Sequence, residues 1–226
     1  MTDDAQFARL AAAAAARYRG AGRFAFNFAR GKLRADPVFR YLLAAGLIAP
    51  GARVLDLGCG QGLLGALLGA AGTLRRGAYR GIELMPRDVT RARRALGASC
   101  GVEQGDIRRA EFGAADIVVI LDVLHYMAPR DQDAVLARAR EALAAGGVLL
   151  LRVGDAAAGL RSRLSNWVDW TVARARGHGA PRFHWRSVAQ WRSALAALGF
   201  AVLAEPMSRG TPFANVLLVA RLPPRP

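Results

Sequence analysis

Residues 54–65 read VLDLGCGQGLLG, an apolar run that ends on an acid and opens into glycines. Gly58, Gly60 and Gly62 stand at alternate positions, more small residues than one tight turn needs, so the backbone is expected to approach a ligand there. A phosphate-binding loop would carry Lys and then Ser or Thr after its last glycine, and neither is present. Gly60, Gly62 and Gly65 satisfy the G-x-G-x-x-G spacing of dinucleotide sites, but that pattern wants its first glycine at the strand end, and here it is off-register. The better-placed pattern is D-x-G-x-G, formed by Asp56, Gly58 and Gly60. Further acids follow in order. Glu83 ends the segment YRGIE, where a carboxylate can accept from both hydroxyls of a ribose. Asp106 stands in GDI with the apolar Ile107 behind it; taken alone, it reads first as a helix or turn cap. Within LDVLHYM, His125 is a candidate general base because its ordinary pKa is near neutrality, or else a buried histidine closing a strand-to-helix junction. Asp122 would line the same pocket or orient His125, and His184 in FHW is a second candidate base.

The elements that must position these residues alternate along the chain. A helix is expected over about 4–18, followed by the aromatic and basic stretch YRGAGRFAFNFARGKLR. Asp36 caps a helix with Pro37 in its first turn, running to about Gly46. Strands are expected in RVLDLG, AYRGIEL, SCGVEQ, ADIVVIL and GGVLLLRV, with helices over about 61–71, Pro86 to about Leu96, and about 131–144 between them. Near-continuous apolar runs point to strands covered on both faces, as in a doubly wound parallel sheet. Residues 155–186 break the rhythm with a basic, aromatic insertion, expected as a helix over about 158–176 and the loop GHGAPRFHW. Ser187 then caps a helix ending at Leu198–Gly199, and FAVLAEP and NVLLVAR close the chain as strands, the last antiparallel.

The ordered set Asp56, Gly58, Gly60, Glu83 and Asp106 resembles the signature of the class I S-adenosylmethionine-dependent methyltransferases. The resemblance is strong over about residues 36–153 and continues in the terminal helix-strand-strand pattern. It implies a Rossmann-like fold: a seven-stranded, mostly parallel sheet with an antiparallel last strand, here with a helical N-terminal segment and a helical lid insertion. It implies one methyltransferase domain over 1–226, divided into a cap (1–35), a cofactor-binding core (36–153), a lid (154–186) and a C-terminal part (187–226). It implies that S-adenosylmethionine meets Asp56, Gly58, Cys59, Gly60, Glu83, Leu84, Asp106, Ile107, Leu121 and Asp122, with the adenine on Asp106 and Ile107. The acceptor would meet the methyl at the end of the fourth strand. There the family's base methylases show an Asn/Asp-Pro-Pro-aromatic turn, which Asp122-Val-Leu-His lacks. That departure favours a small-molecule acceptor over a nucleic-acid base.

The expected acceptor rim is aromatic, with Tyr18, Phe24, Phe26 and Phe28 on one side and Trp167, Trp170, Phe183, His184 and Trp185 on the other. Rings of this kind also serve simply to pack helices on a sheet. The arrangement FNFARGKLRADPVFRYLL, VLDLGCGQGLLG and FHWRS is similar in texture to methyltransferases of bacterial polyketide and aryl-polyene pigment pathways. Basic residues number 32 against 17 acidic, a formal charge of +15, and all but Lys32 are arginine. Such a surface suits anionic partners. The lid arginines suggest an acidic carrier protein presenting a tethered acyl chain, although a solvated helix face explains them as well. Two rival functions remain: an RNA methyltransferase, favoured by the charge, and a cofactor-binding module without catalysis. Cys59 and Cys100 have no Cys or His neighbour at ligand spacing, which argues against a metal. With an acidic start and no long apolar segment, the chain is expected to be cytoplasmic and to lack a membrane span.

Overall fold

The computed structural model describes residues 3–155, 183–208 and 214–224. The helix expected over about 158–176, with Trp167, Trp170 and Arg161, Arg163, Arg174, Arg176 and Arg182, lies outside the described residues. The chain divides into two compact units, residues 1–119 and 120–226. Seven strands form a sheet in the order β3-β2-β1-β4-β5-β7-β6, as expected for the Rossmann-like class.

The first unit opens with α1 (Asp4–Ala16), whose preceding Asp3 carboxylate accepts from the Gln6 N–H at 2.5 Å. Next is α2 (Arg23–Ala35), where the sequence suggested only an aromatic, basic stretch. Its buried face is Ala25, Ala29 and Leu33, spaced four apart, while Phe24 on another face is 63% exposed. α3 (Pro37–Ala44) starts as expected, with Asp36 accepting from the Val38 N–H at 3.1 Å and Pro37 in the first turn.

Then come β1 (Val54–Leu57), α4 (Leu63–Ala70), β2 (Tyr79–Glu83), α5 (Pro86–Leu96) and β3 (Gly101–Gln104). β1 pairs with β2, and β2 with β3, both in parallel. The parallel direction puts the loops after β1, β2 and β3 at one edge of the sheet, where this class of fold binds ligands. α1 packs against α2 and α4. β4 (Ala115–Leu121) is the wholly apolar run ADIVVIL apart from Asp116, which is tied to Arg53 at the strand's start.

The second unit contains α6 (Pro129–Ala142), β5 (Leu143–Gly154), α7 (Val188–Ala197), β6 (Ala201–Pro206) and β7 (Asn215–Arg221). β7 runs antiparallel to both β5 and β6. Ser187 caps α7 through a reciprocal box with Gln190. No described helix is long and apolar enough to cross a membrane.

Candidate functional site

In the first unit, the glycine loop is built from three residues with positive φ: Gly58 (72°), Gly60 (55°) and Gly62 (74°). A side chain in that backbone region is strained, so the alternate glycines are a conformational requirement. A Cβ on Gly60 would meet nothing within 4 Å, leaving the backbone there open to a ligand's approach. Glu83 holds the loop: one carboxylate oxygen accepts from the Gly60 N–H at 2.9 Å and the other from the Met85 N–H at 2.9 Å. The glycine turn and the loop after β2 are thereby pinned to a single carboxylate.

One face of β2 explains the rest of the loop. Tyr79, Gly81 and Glu83 alternate with residues on the other face. The Tyr79 hydroxyl donates to Asp56 at 2.6 Å. A Cβ on Gly65 would lie 2.9 Å from the Tyr79 ring, so Gly65 is small to let that ring pass. The third glycine of the apparent dinucleotide pattern therefore serves packing between α4 and β2. Gly81 makes room in the same way for Cys59, whose Sγ would lie 2.6 Å from an added Cβ. Tyr18, expected at the acceptor rim, is instead fully buried and donates to the Gln61 carbonyl at 2.7 Å.

Asp56 is 4% exposed, and burial pushes its pKa up to about 7; the Tyr79 hydrogen bond opposes the rise and the Glu83 charge adds to it. The side-chain oxygen of Gln61 is also buried and has no hydrogen-bond partner among the described residues. An acid near its midpoint and an orphaned acceptor on the same loop fit a cationic ammonium group. The loop thus fits the amino-acid end of the expected cofactor by chemistry. Asp106 is engaged differently. It caps its own turn through the Arg108 N–H at 2.9 Å, and its carboxylate pairs with the Arg108 guanidinium, which holds its pKa below the usual carboxylate range. Ile107 is buried, whereas Leu84 is half exposed.

In the second unit, Asp122 follows Leu121 at the end of β4 with φ 58°, positive for a residue that is not glycine. Its carboxylate accepts from the Arg152 guanidinium, which is 2% exposed. Asp122 therefore spends its hydrogen bonds on Arg152, and it acts on His125 through charge rather than as the expected orienting partner. His125 is buried in a 3-10 turn, Leu124–Tyr126. Its ring stacks on Trp185 at 4.4 Å with 8° between planes, and Tyr126 and Phe183 lie at 4.2 and 5.7 Å. Burial pushes the His125 pKa down to about 4, with Asp122 opposing. The imidazole is thus neutral at pH 7, and its buried Nε2 has no hydrogen-bond partner among the described residues; nor does Trp185 Nε1.

The segment carrying Phe183, His184 and Trp185 is tied down by its backbone. The His184 N–H donates to the His125 carbonyl at 2.8 Å, and Gln132 donates to the His184 carbonyl at 2.8 Å. Gly154 is small because Trp185 lies over it, 2.7 Å from an added Cβ. Tyr79, Gln61, Arg152 and Gly154 carry no signal in the sequence, because each meets a spatial neighbour far away along the chain.

A family model described as a methyltransferase domain matches residues 28–205. Carboxy-S-adenosyl-L-methionine synthase of Chromohalobacter salexigens is 39% identical over 108 residues, covering 45% of this chain and 39% of that protein. The chain thus spans well under half the length of that relative. Among solved structures, an O-methyltransferase family protein from Burkholderia thailandensis superposes with TM-score 0.66 and 21% identity, over 92% of this chain and 63% of that one. Magnesium protoporphyrin IX methyltransferase from Synechocystis, solved with bound SAH, gives TM-score 0.63 and 22% identity over 92% and 93% of the two chains. A methyltransferase solved with the Haloferax volcanii Trm112 activator gives 0.65 and 18%, over 94% and 95%.

Proposed function

We propose that this chain, which belongs to the methyltransferase domain family and has the class I S-adenosylmethionine-dependent fold, methylates a small acceptor of aromatic or acyl-derived character. The observation that carries the reading is the Glu83 clasp on an open, left-handed glycine loop, with a buried acid and an orphaned acceptor beside it. When bound, the cofactor supplies a methyl group already activated by its sulfonium, which leaves positioning and proton handling to the protein. Asp56 and Gln61 would receive the ammonium, Gly58, Cys59 and Gly60 the amino-acid backbone, and Glu83 the ribose, with Leu84 at its side. Asp106 and Ile107 would take the adenine.

His125 is the residue proposed to handle the acceptor's proton. It is neutral at pH 7 and so able to accept a proton, although burial makes it a weaker base than a free imidazole. The rings of Tyr126, Phe183 and Trp185 around it support an aromatic or conjugated acceptor. His184 is kept as a second candidate, because its backbone is anchored to His125. The carrier-protein reading rests on seven arginines, of which Arg186 and Arg192 are described and Arg186 is paired with Asp133. The RNA reading rests on the net charge of +15.

Methyl-labelled S-adenosylmethionine, supplied with separate small-molecule, carrier-protein and RNA fractions, tests the acceptor class. Label is expected in the small-molecule fraction. Label in RNA, with steep salt dependence, would replace this reading by the RNA one.

A further inference from the structure

A second concave site lies in the first unit along α4, lined by Gly65 and Gly69 of that helix. A cavity of about 400 Å³ is lined by Arg17, Arg75 and Arg76 together with Leu74, Leu96 and Cys100. Arg75 and Arg76 precede β2, and Cys100 precedes β3, so the cavity sits at the edge where the parallel strands begin. The loops carrying Gly60, Glu83 and Asp106 leave the opposite edge.

Among the described residues, no Asp or Glu lines the cavity. Other acids of the first unit are paired with arginines outside the cavity: Asp88 with Arg91, Glu103 with Arg80, Asp106 with Arg108 and Asp116 with Arg53. Among the described residues, Arg75 and Arg76 make no ion pair or side-chain hydrogen bond. Arg17 is held in place by donating from Nε to the Ala95 carbonyl at 3.1 Å, with a guanidinium nitrogen 3.2 Å from where a Gly69 Cβ would be. Arg75 is laid across Gly51, whose absent side chain leaves room for its guanidinium. Two of the three cations are therefore positioned by close backbone approach. Three like charges around one concavity repel unless an anion sits among them.

We infer that this cavity binds a phosphate-bearing small molecule, held by Arg17, Arg75 and Arg76, at a site separate from the one proposed for the cofactor. Guanidinium forks match phosphate oxygens in pairs, which gives both charge and geometry. The volume falls within the range of small-molecule sites, and Leu74 and Leu96 offer apolar wall to a modest organic body. A polynucleotide is a poorer occupant, because among the described residues no aromatic ring lines the cavity to stack a base.

The test titrates pyrophosphate, glycerol 3-phosphate and a short RNA into the full chain and into Arg75→Ala/Arg76→Ala. Both arginines are exposed, so this variant should fold, and unchanged S-adenosylhomocysteine affinity checks that it has. Pyrophosphate or glycerol 3-phosphate is expected to bind the parent chain, to weaken with salt, and to lose at least ~10-fold in affinity in the variant. Occupancy should also slow thiol labelling of the half-buried Cys100 and leave Cys59 unaffected. Two results would overturn the inference: no phosphate binding by the parent, or binding that the double variant leaves intact. RNA binding that is tighter than both small phosphates and lost in the variant would also overturn it, in favour of a nucleic-acid surface.

Discussion

Each unit buries a titratable group whose pKa is brought into the range between about 4 and 7 at its proposed working end, and the two are of opposite kinds. In the first unit Asp56 is an acid whose pKa is raised to about 7; in the second His125 is a base whose pKa is lowered to about 4. Burial disfavours the charged form in both cases, so both side chains are held toward neutrality. Their surroundings differ. Asp56 sits among hydrogen-bonding groups, with Tyr79 donating to it and the orphaned Gln61 oxygen on the neighbouring loop. His125 sits among rings. A polar loop with an ionisable acid is arranged to receive a cation. On the proposed function, the aromatic nest around the neutral imidazole receives a flat, uncharged group and one proton.

This contrast has opposite signatures in pH. Asp56 binds its proton more tightly folded than unfolded, so its contribution to stability is full below the unfolded pKa of 3.8 and is lost as pH rises through about 7. His125 binds its proton more weakly folded, so its contribution is full above the unfolded value of 6.5 and is lost as pH falls through about 4. The two slopes oppose each other between about pH 4 and 6.5. Asp56→Asn should therefore leave stability rising with pH across that window, and His125→Gln should leave it falling. Each slope should amount to on the order of 3 kcal/mol, as read by denaturant unfolding at several pH values. If neither substitution changes the slope, the contrast is broken.

Two glycines sharpen the comparison with a somewhat smaller effect. Gly65→Ala would drive a methyl group into the Tyr79 ring and disturb Asp56, and Gly154→Ala would do the same to Trp185 and His125. Each should cost about 1–3 kcal/mol of stability. Gly65→Ala should chiefly weaken S-adenosylhomocysteine in calorimetry. Gly154→Ala should keep that affinity within ~2-fold and lower kcat once an acceptor is known.

The smallest effect concerns Asp106. Its ion pair with Arg108 is half exposed, so Arg108→Ala should cost less than about 1 kcal/mol in thermal unfolding. Freed from the guanidinium, the carboxylate should bind S-adenosylhomocysteine a few-fold more tightly.

The sheet was legible in the sequence, because ADIVVIL, VLLLRV and NVLLVAR carry apolar runs of strand length. α2 was not, since its buried stripe is made of Ala25, Ala29 and Leu33 while its conspicuous phenylalanines face elsewhere, Phe24 into solvent. The expected site residues around the glycine loop sit together in the first unit, because they follow successive strand ends. Their supports could not be read: Tyr79 reaches Asp56 only through the parallel register that sets Val54 beside Tyr79. Gly65 was visible but misleading, since it completes a nucleotide pattern while making room for a tyrosine ring.

The central claim is that the glycine loop and Glu83 form the S-adenosylmethionine site. Calorimetric titration of S-adenosylhomocysteine and NADH into the parent chain and Glu83→Ala tests it most directly. S-adenosylhomocysteine should bind the parent at one site and weaken ~100-fold in the variant, about 3 kcal/mol, because the carboxylate's loop-holding bonds and its ribose contacts are lost together. Binding of NADH in its place, or S-adenosylhomocysteine affinity unchanged by Glu83→Ala, would contradict the account.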